Sequence, residues 1–331
     1  MAQTPDQKKR TPQLTLNLHR LAEYGARQFA ASGELWNLEI TSLEGGYASN
    51  RVFRHDLTFR FTDGQFQTIS VVQKYTGEAE VYVMELLSEL GSTTAIPQLI
   101  DGARGDRVAD KKGDNWFIVP FYPGNSLTFE DEVPTSVIKS LAQLHAHFAP
   151  RVNSIEMVEG LYHVDLTFFN RTFKNALKGL VQLQEKQPSA DLGDMQIRLE
   201  EVSQCSVFET ALKRLPVTLV HGDVHPENIL CLDEGRAVLI DWGNARIAPA
   251  MLDVANLVEL GSENWNVYLK AWEEASGEVV DMPMARLNYY WATAMVNLQY
   301  LPFAAEFSQD NILGMIDRIC DARLQMEMIL G

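Results

Sequence analysis

The chain has 331 residues, 46% apolar and 22% charged, a balance that fits a soluble protein of two domains or one two-lobed unit. Its formal net charge of −16 opposes tracking along a phosphate backbone, so nucleic-acid binding is not expected, while a cationic small molecule would be attracted. The three cysteines, Cys205, Cys231 and Cys320, are far apart and lack C-x-x-C spacing, which argues against a disulfide framework or a zinc knuckle and for a reducing cytoplasm. Residues 1–12 are polar, carry Lys8, Lys9 and Arg10 without a following apolar segment, and read as a flexible tail rather than a signal peptide. No run approaches the ~18 apolar residues of a membrane span, so no membrane association is expected.

Leu14, Leu18, Leu21, Ala22 and Phe29 recur at helical spacing and predict a helix over 13–31. Leu38-Glu39-Ile40 reads as a strand. Val52–Phe61 and Thr68–Tyr75, separated by Asp63-Gly64, read as a hairpin. Glu78–Leu90 is helical in period, and Trp116–Phe121 is a short apolar run that suits a buried strand and ends in the turn Tyr122-Pro123-Gly124. Helical patterns follow at Val137–Phe148, Leu166–Leu183 and Met195–Leu215. Two short apolar runs, Val217–Val220 and Ala237–Ile240, flank a polar segment, and helical periodicity resumes from Met251 to the C-terminus. The expected fold is therefore α+β and bilobal, with a small β-rich N-lobe over 13–122 and a large, mostly helical C-lobe over 123–331.

The polar segment carries the chemistry. It reads His221-Gly222-Asp223-Val224-His225-Pro226-Glu227-Asn228, followed after a short strand by Asp241-Trp242-Gly243. Phosphoryl transfer from a nucleotide needs a carboxylate to receive a hydroxyl proton, plus oxygen ligands for magnesium. Asp223 suits the first task, and Asn228 and Asp241 suit the second, since Mg²⁺ takes one or two carboxylates together with phosphate oxygens. The alternating His221, Asp223 and His225 also allow a metal-dependent hydrolase, although no further histidine follows at ligand spacing. His221 reads better as a residue that orients the loop.

The decapeptide His221–Leu230 resembles the catalytic-loop signature of the aminoglycoside phosphotransferase and choline kinase-like superfamily, a relative of the protein kinases. Ile240-Asp241-Trp242 is similar to its metal-binding motif, Asp253-Val254-Ala255 to its Asp-Leu-Ala element, and Leu141-Ala142-Gln143-Leu144-His145 to its Leu-x-x-Leu-His helix. The stretch Gly45-Gly46-Tyr47-Ala48-Ser49-Asn50 looks like its nucleotide loop, with only two glycines. The resemblance covers about residues 38–260 and implies a protein-kinase-like fold. By it, Lys74 contacts phosphate from the third strand and pairs with a helix acid, Glu80 by best match and Glu78 or Glu85 as rivals. Gly45, Gly46 and Ser49 cradle phosphate, adenine lies against the strand near Val119 and pairs with backbone groups up to Phe121, and Asp253 braces the catalytic loop. For Asp253, a helix N-cap is the competing reading.

These features predict an ATP-dependent, or GTP-dependent, O-phosphotransferase acting with Mg²⁺ on a hydroxyl of a small molecule. A catalytically silent nucleotide-binding regulator is the alternative from another class. The acceptor is not legible. Glu259, Glu263, Glu273 and Glu274 near Trp265, Tyr268 and Trp272 suit a cationic alcohol such as an aminoglycoside or amino alcohol, but equally suit an amphipathic helix with core aromatics. Tyr289, Tyr290 and Trp291 are similarly ambiguous, and the oligomeric state is not readable.

Overall fold

The computed structural model describes residues 18–31, 33–43, 51–90, 95–105, 107–108, 111–112, 114–233 and 236–331. The N-terminal tail and the expected phosphate-loop residues Gly45, Gly46 and Ser49 lie outside them.

The N-lobe begins with α1 (Leu18–Phe29), followed by β1 (Glu34–Ser42), β2 (Arg51–Arg60), β3 (Phe66–Thr76), α2 (Glu78–Leu87), β4 (Asp101–Ala103), the short pair β5 (Arg107–Val108) and β6 (Lys111–Lys112), and β7 (Asn115–Pro120). Five of these strands form an antiparallel sheet in the order β1-β2-β3-β7-β4. The hairpin turns where expected: Gly64 takes φ +80°, and Asp63 accepts a hydrogen bond from the Gln65 amide. Side chains alternate across the pleat. Leu57, Phe59, Val71, Tyr75, Trp116 and Ile118 form a core with Leu21 and Tyr24 of α1. The opposite face carries Val72 and Lys74, paired in register with Val119 and Phe117, and joins the main core through α2. This alternation is what turns Lys74 away from α1 and toward the second lobe.

The C-lobe contains β8 (Asn125–Ser126), α3 (Thr135–Phe148), α4 (Leu166–Lys186), α5 (Ala190–Ser203), α6 (Val207–Arg214), β9 (Val217–Val220), β10 (Ile229–Cys231), β11 (Ala237–Leu239), β12 (Arg246–Pro249), α7 (Glu263–Ser276), α8 (Met282–Phe307) and α9 (Ile312–Leu330). Val137, Leu141, Leu144 and Phe148 of α3 are buried along one side, as their spacing requires. The long helix α8 is apolar on most of its surface and packs between α4 and α9.

Two expectations need correction. Met195–Leu215 is not one helix: α5 starts earlier, capped by the Ser189 side chain, and the chain breaks at Gln204–Ser206 before α6. Helix does not resume at Met251: a single turn at Ala250–Leu252 leads through turns to α7, whose start is fixed by the Ser262 cap. The two short apolar runs each find a partner strand elsewhere. β9 pairs with β12, and β11 with β10, which also takes β8 on its other edge. Strands of two to four residues are too short to show a period, so β8, β10 and β12 left no signal. Among the described residues, no helix is long and apolar enough to cross a membrane.

Candidate active site

Lys74 lies between two carboxylates that come from opposite ends of the fold. Its Nζ is 2.7 Å from Glu80 Oε1 on α2 and 2.8 Å from Asp241 Oδ1 in the C-lobe. Of the three acids considered for α2, the partner is thus Glu80. Glu80 is buried and also accepts from the Thr76 hydroxyl at 2.5 Å, so both of its oxygens are satisfied. Burial works to lower the Lys74 pKa, but the Glu80 and Asp241 charges outweigh it and hold the ammonium above its ordinary range. For Asp241, burial pushes upward and Lys74 overrides it, so the carboxyl lies below the usual range. Asp241 also takes a left-handed backbone, φ 63° and ψ 66°, a strained conformation for a residue with a side chain.

The loop after β9 is built on one buried acid. The Asp253 carboxylate accepts from the His221 amide at 2.7 Å and the Gly222 amide at 2.8 Å, and lies 3.1 Å from His145 Nε2 on α3. His145 Nδ1 in turn meets the Tyr268 hydroxyl of α7 at 2.8 Å. Burial works to raise the Asp253 pKa, but His145 and the loop amides prevail and keep it low. The alternative role of helix N-cap does not apply, because Asp253 follows its short helical turn rather than preceding it. Gly222 is required by geometry: its φ is +82°, and a Cβ would lie 2.3 Å from the Asn244 carbonyl oxygen.

His221 is buried, and its pKa is lowered by that burial. Its Nε2 lies 2.9 Å from the Ile240 carbonyl, which can only accept, so Nε2 carries the proton. Its Nδ1 accepts from the Asp223 amide at 3.3 Å. Both ring nitrogens are therefore engaged within the loop, which removes His221 as a metal ligand. His225 points elsewhere, 3.8 Å from Glu227. Among the described residues, no group of three or more His, Cys, Asp or Glu side chains is gathered around a metal position.

Asp223 has a hydrogen-bond donor on each oxygen. Asn244 Nδ2 is 2.9 Å from Oδ2, and the Tyr300 hydroxyl of α8 is 2.5 Å from Oδ1. Asn228 donates through Nδ2 to the Asp223 carbonyl at 3.0 Å, which leaves its Oδ1 as the atom able to face a cation. The Asn228 carbonyl receives the Ile240 amide at 2.8 Å, tying the turn to the strand that delivers Asp241. Arg246 of β12 donates to the Gly222 carbonyl and, at 3.1 Å, to the Tyr162 hydroxyl, packing a guanidinium behind the loop.

Tyr300, Asn244 and Arg246 were not found from sequence. Asn244 and Arg246 sit just beyond the Asp-Trp-Gly motif and could have been noticed. Tyr300 had no local signal, being one of six aromatic residues in an apolar helix. Of the aromatics weighed for an acceptor patch, Trp265, Tyr268 and Trp291 are core residues, and the Tyr289 hydroxyl is spent on the Val258 carbonyl at 3.0 Å, so for these the core reading holds. Val119 lies on the Lys74 face of the sheet, but the Phe121 amide is committed to the Ser70 carbonyl at 2.9 Å and so is not free to pair with a base.

The sequence model of the phosphotransferase enzyme family matches residues 39–287. Among solved structures, the chain is similar to choline kinase from Cryptosporidium parvum Iowa II, at 13% identity over 88% of this chain and 90% of that one, with a TM-score of 0.50. It is also similar to the macrolide 2′-phosphotransferase MphH from Brachybacterium faecium, at 20% identity, 90% and 97% coverage and a TM-score of 0.46. A spectinomycin phosphotransferase, APH(9)-Ia, solved with ADP and spectinomycin, gives 16% identity, 93% and 98% coverage and a TM-score of 0.46. No curated protein matches. The choline kinase likeness, with the family match, fixes the fold as protein-kinase-like.

Proposed function

We propose that this chain, which belongs to the phosphotransferase enzyme family, moves the γ-phosphoryl group of ATP or GTP to a hydroxyl of a small molecule, with Asp223 as the base. The observation that carries this reading is Lys74 held between Glu80 and Asp241, 2.7 and 2.8 Å away. A lysine fixed in that way has a positive charge ready for phosphate and an acid that keeps it in place. Purine would lie against Val72 and Val119 on the same face of the sheet, and the Gly45–Gly46 loop with Ser49 would cover the phosphates. The lobes would meet at the Tyr122–Gly124 turn.

Asn228 Oδ1 and the Asp241 carboxylate are hard oxygen donors of the kind Mg²⁺ takes, and the rigid turn between them fits that ion. Bound there, the metal would neutralise charge on the phosphates. The residues of the chain supply the rest. Asp223 receives the hydroxyl proton of the acceptor, Lys74 offsets phosphate charge, and the braced loop keeps the base where the hydroxyl must arrive. Positioning and electrostatics then account for most of the rate. The nucleotide requirement favours work in the cytoplasm. The choline kinase likeness and the acidic net charge of −16 favour an amine-bearing alcohol as acceptor, with aminoglycosides and sugars as the next classes to try.

The test is metal-dependent ADP formation with a panel of aminoglycosides, amino alcohols and sugars, run beside Asp223→Ala. The expected result is turnover with at least one acceptor in the wild type and a loss of about a thousandfold or more in the variant, with nucleotide affinity preserved. Nucleotide binding without turnover on any acceptor would make the protein a regulator instead.

A further inference from the structure

We propose that Tyr300 is a positioning residue for phosphoryl transfer: its phenol holds one oxygen of Asp223, so that the acceptor hydroxyl meets a carboxylate already fixed in orientation. The proposal rests on Asp223 being the base. The contact joins residues 77 positions apart, from the catalytic loop and from the helix at the centre of the C-lobe. Leu298, Leu301 and Ala304 around Tyr300 are buried, so the helix that carries the ring is locked in the core. The phenol therefore stays beside Asp223 as part of the site.

The hydrogen-bond inventory of Asp223 is then specific. Tyr300 donates to Oδ1 and Asn244 to Oδ2. A carboxylate oxygen can accept two hydrogen bonds, so each keeps one position for an incoming hydroxyl. A carboxylate held at both oxygens cannot swing between rotamers, and each arriving hydroxyl finds the same geometry. The phenol remains a donor at any working pH, because burial, and next the Asp223 charge, raise its pKa far above the ordinary tyrosine range. Arg246 and Asp253 also bear on Tyr300, Arg246 lowering its pKa and Asp253 raising it. Tyr300 donates to the base from α8, and Asn244 donates to it from the segment after Asp241.

The experiment is a double-mutant cycle on Tyr300 and Asp223. Turnover is followed as ADP release from Mg-ATP, with the acceptor found in the panel above and also with water alone. The variants are Tyr300→Phe, Asp223→Asn and the pair. We expect Tyr300→Phe to lower kcat about ten- to a hundredfold, the worth of one hydrogen bond to a charged group. Acceptor KM, nucleotide affinity and thermal midpoint should stay near wild type. In the Asp223→Asn background the same substitution should change the rate by less than about threefold, because its effect passes through that carboxylate. Tyr300→Phe with wild-type kcat overturns the proposal, as does an equal loss in both backgrounds. If Asp223→Asn alone keeps turnover, or the wild type releases no ADP even to water, the base assignment itself fails and the role of Tyr300 fails with it.

Discussion

At the level of single residues, the two partners of Lys74 differ in what they do for the fold. Glu80 is almost wholly buried, with its side chain 2% exposed, whereas that of Asp241 is 51% exposed. Removing Lys74 strands the buried acid, so Lys74→Ala should cost on the order of 3 kcal/mol of stability as well as turnover. Asp241→Asn should abolish turnover and leave the denaturant midpoint nearly unchanged, since the group it loses is half in water. Chemical denaturation of the two variants side by side checks the contrast, and equal destabilisation would contradict it. Gly222→Ala should be severe for steric reasons: φ +82° and a 2.3 Å approach to the Asn244 oxygen together imply a loss of about 2 kcal/mol or more, read as a lowered thermal midpoint.

At the level of elements, α2 holds Glu80 in place and is itself fastened to the C-lobe. The Tyr82 hydroxyl accepts from the Glu156 amide at 2.9 Å, and Arg104, stacked over the Tyr82 ring 4.9 Å away, reaches both Glu85 and Glu156. Tyr82→Phe removes the direct tie. It should cost about 1 kcal/mol and weaken nucleotide binding several-fold through the helix that holds Glu80. Isothermal titration with ADP checks this, and unchanged affinity would show that α2 is placed by core packing alone. These fastenings were illegible in sequence, because they join residues 74 and 52 positions apart. What was legible was local. The hairpin could be read from Asp63-Gly64 and alternating strands, α3 from Val137, Leu141, Leu144 and Phe148, and the polar segment His221–Asn228 from its own residue types. The break at Gln204–Ser206 was missed because apolar residues continue through it at helical spacing. The aromatics of α7 could not be decided from sequence, because a core tryptophan and a binding-site tryptophan look alike until burial is known.

For the molecule as a whole, the shifted groups define a stability profile with pH. Burial lowers the pKa of His221, of His55 and of His147, so all three stay neutral in the fold at pH values where the unfolded chain takes up protons. A depressed pKa gives stability that is present above the unfolded value, near 6.5 for histidine, and lost as pH falls toward the folded value. His221 alone contributes a slope of up to about 1.4 kcal/mol per pH unit in that window. The lowered pKa of Asp253 acts in the same direction below about pH 4, and the raised pKa of Lys74 gives stability that is lost only as pH rises past about 10.5. Denaturant midpoints should thus form a plateau through neutral pH and begin to fall below about 6.5. A flat profile from pH 7 to pH 5 would contradict the assignment of His221 as a neutral, buried ring. The brace at Asp253 has a further consequence for how this protein fluctuates. The amides of His221 and Gly222 end on a carboxylate with no solvent exposure, which is joined through His145 to α3 and α7. Freeing either amide means breaking a buried polar cluster, so neither should exchange its hydrogen through local opening. A loop of this kind would ordinarily be among the first segments to exchange, yet here it should be among the last, released only when the entire C-lobe unfolds.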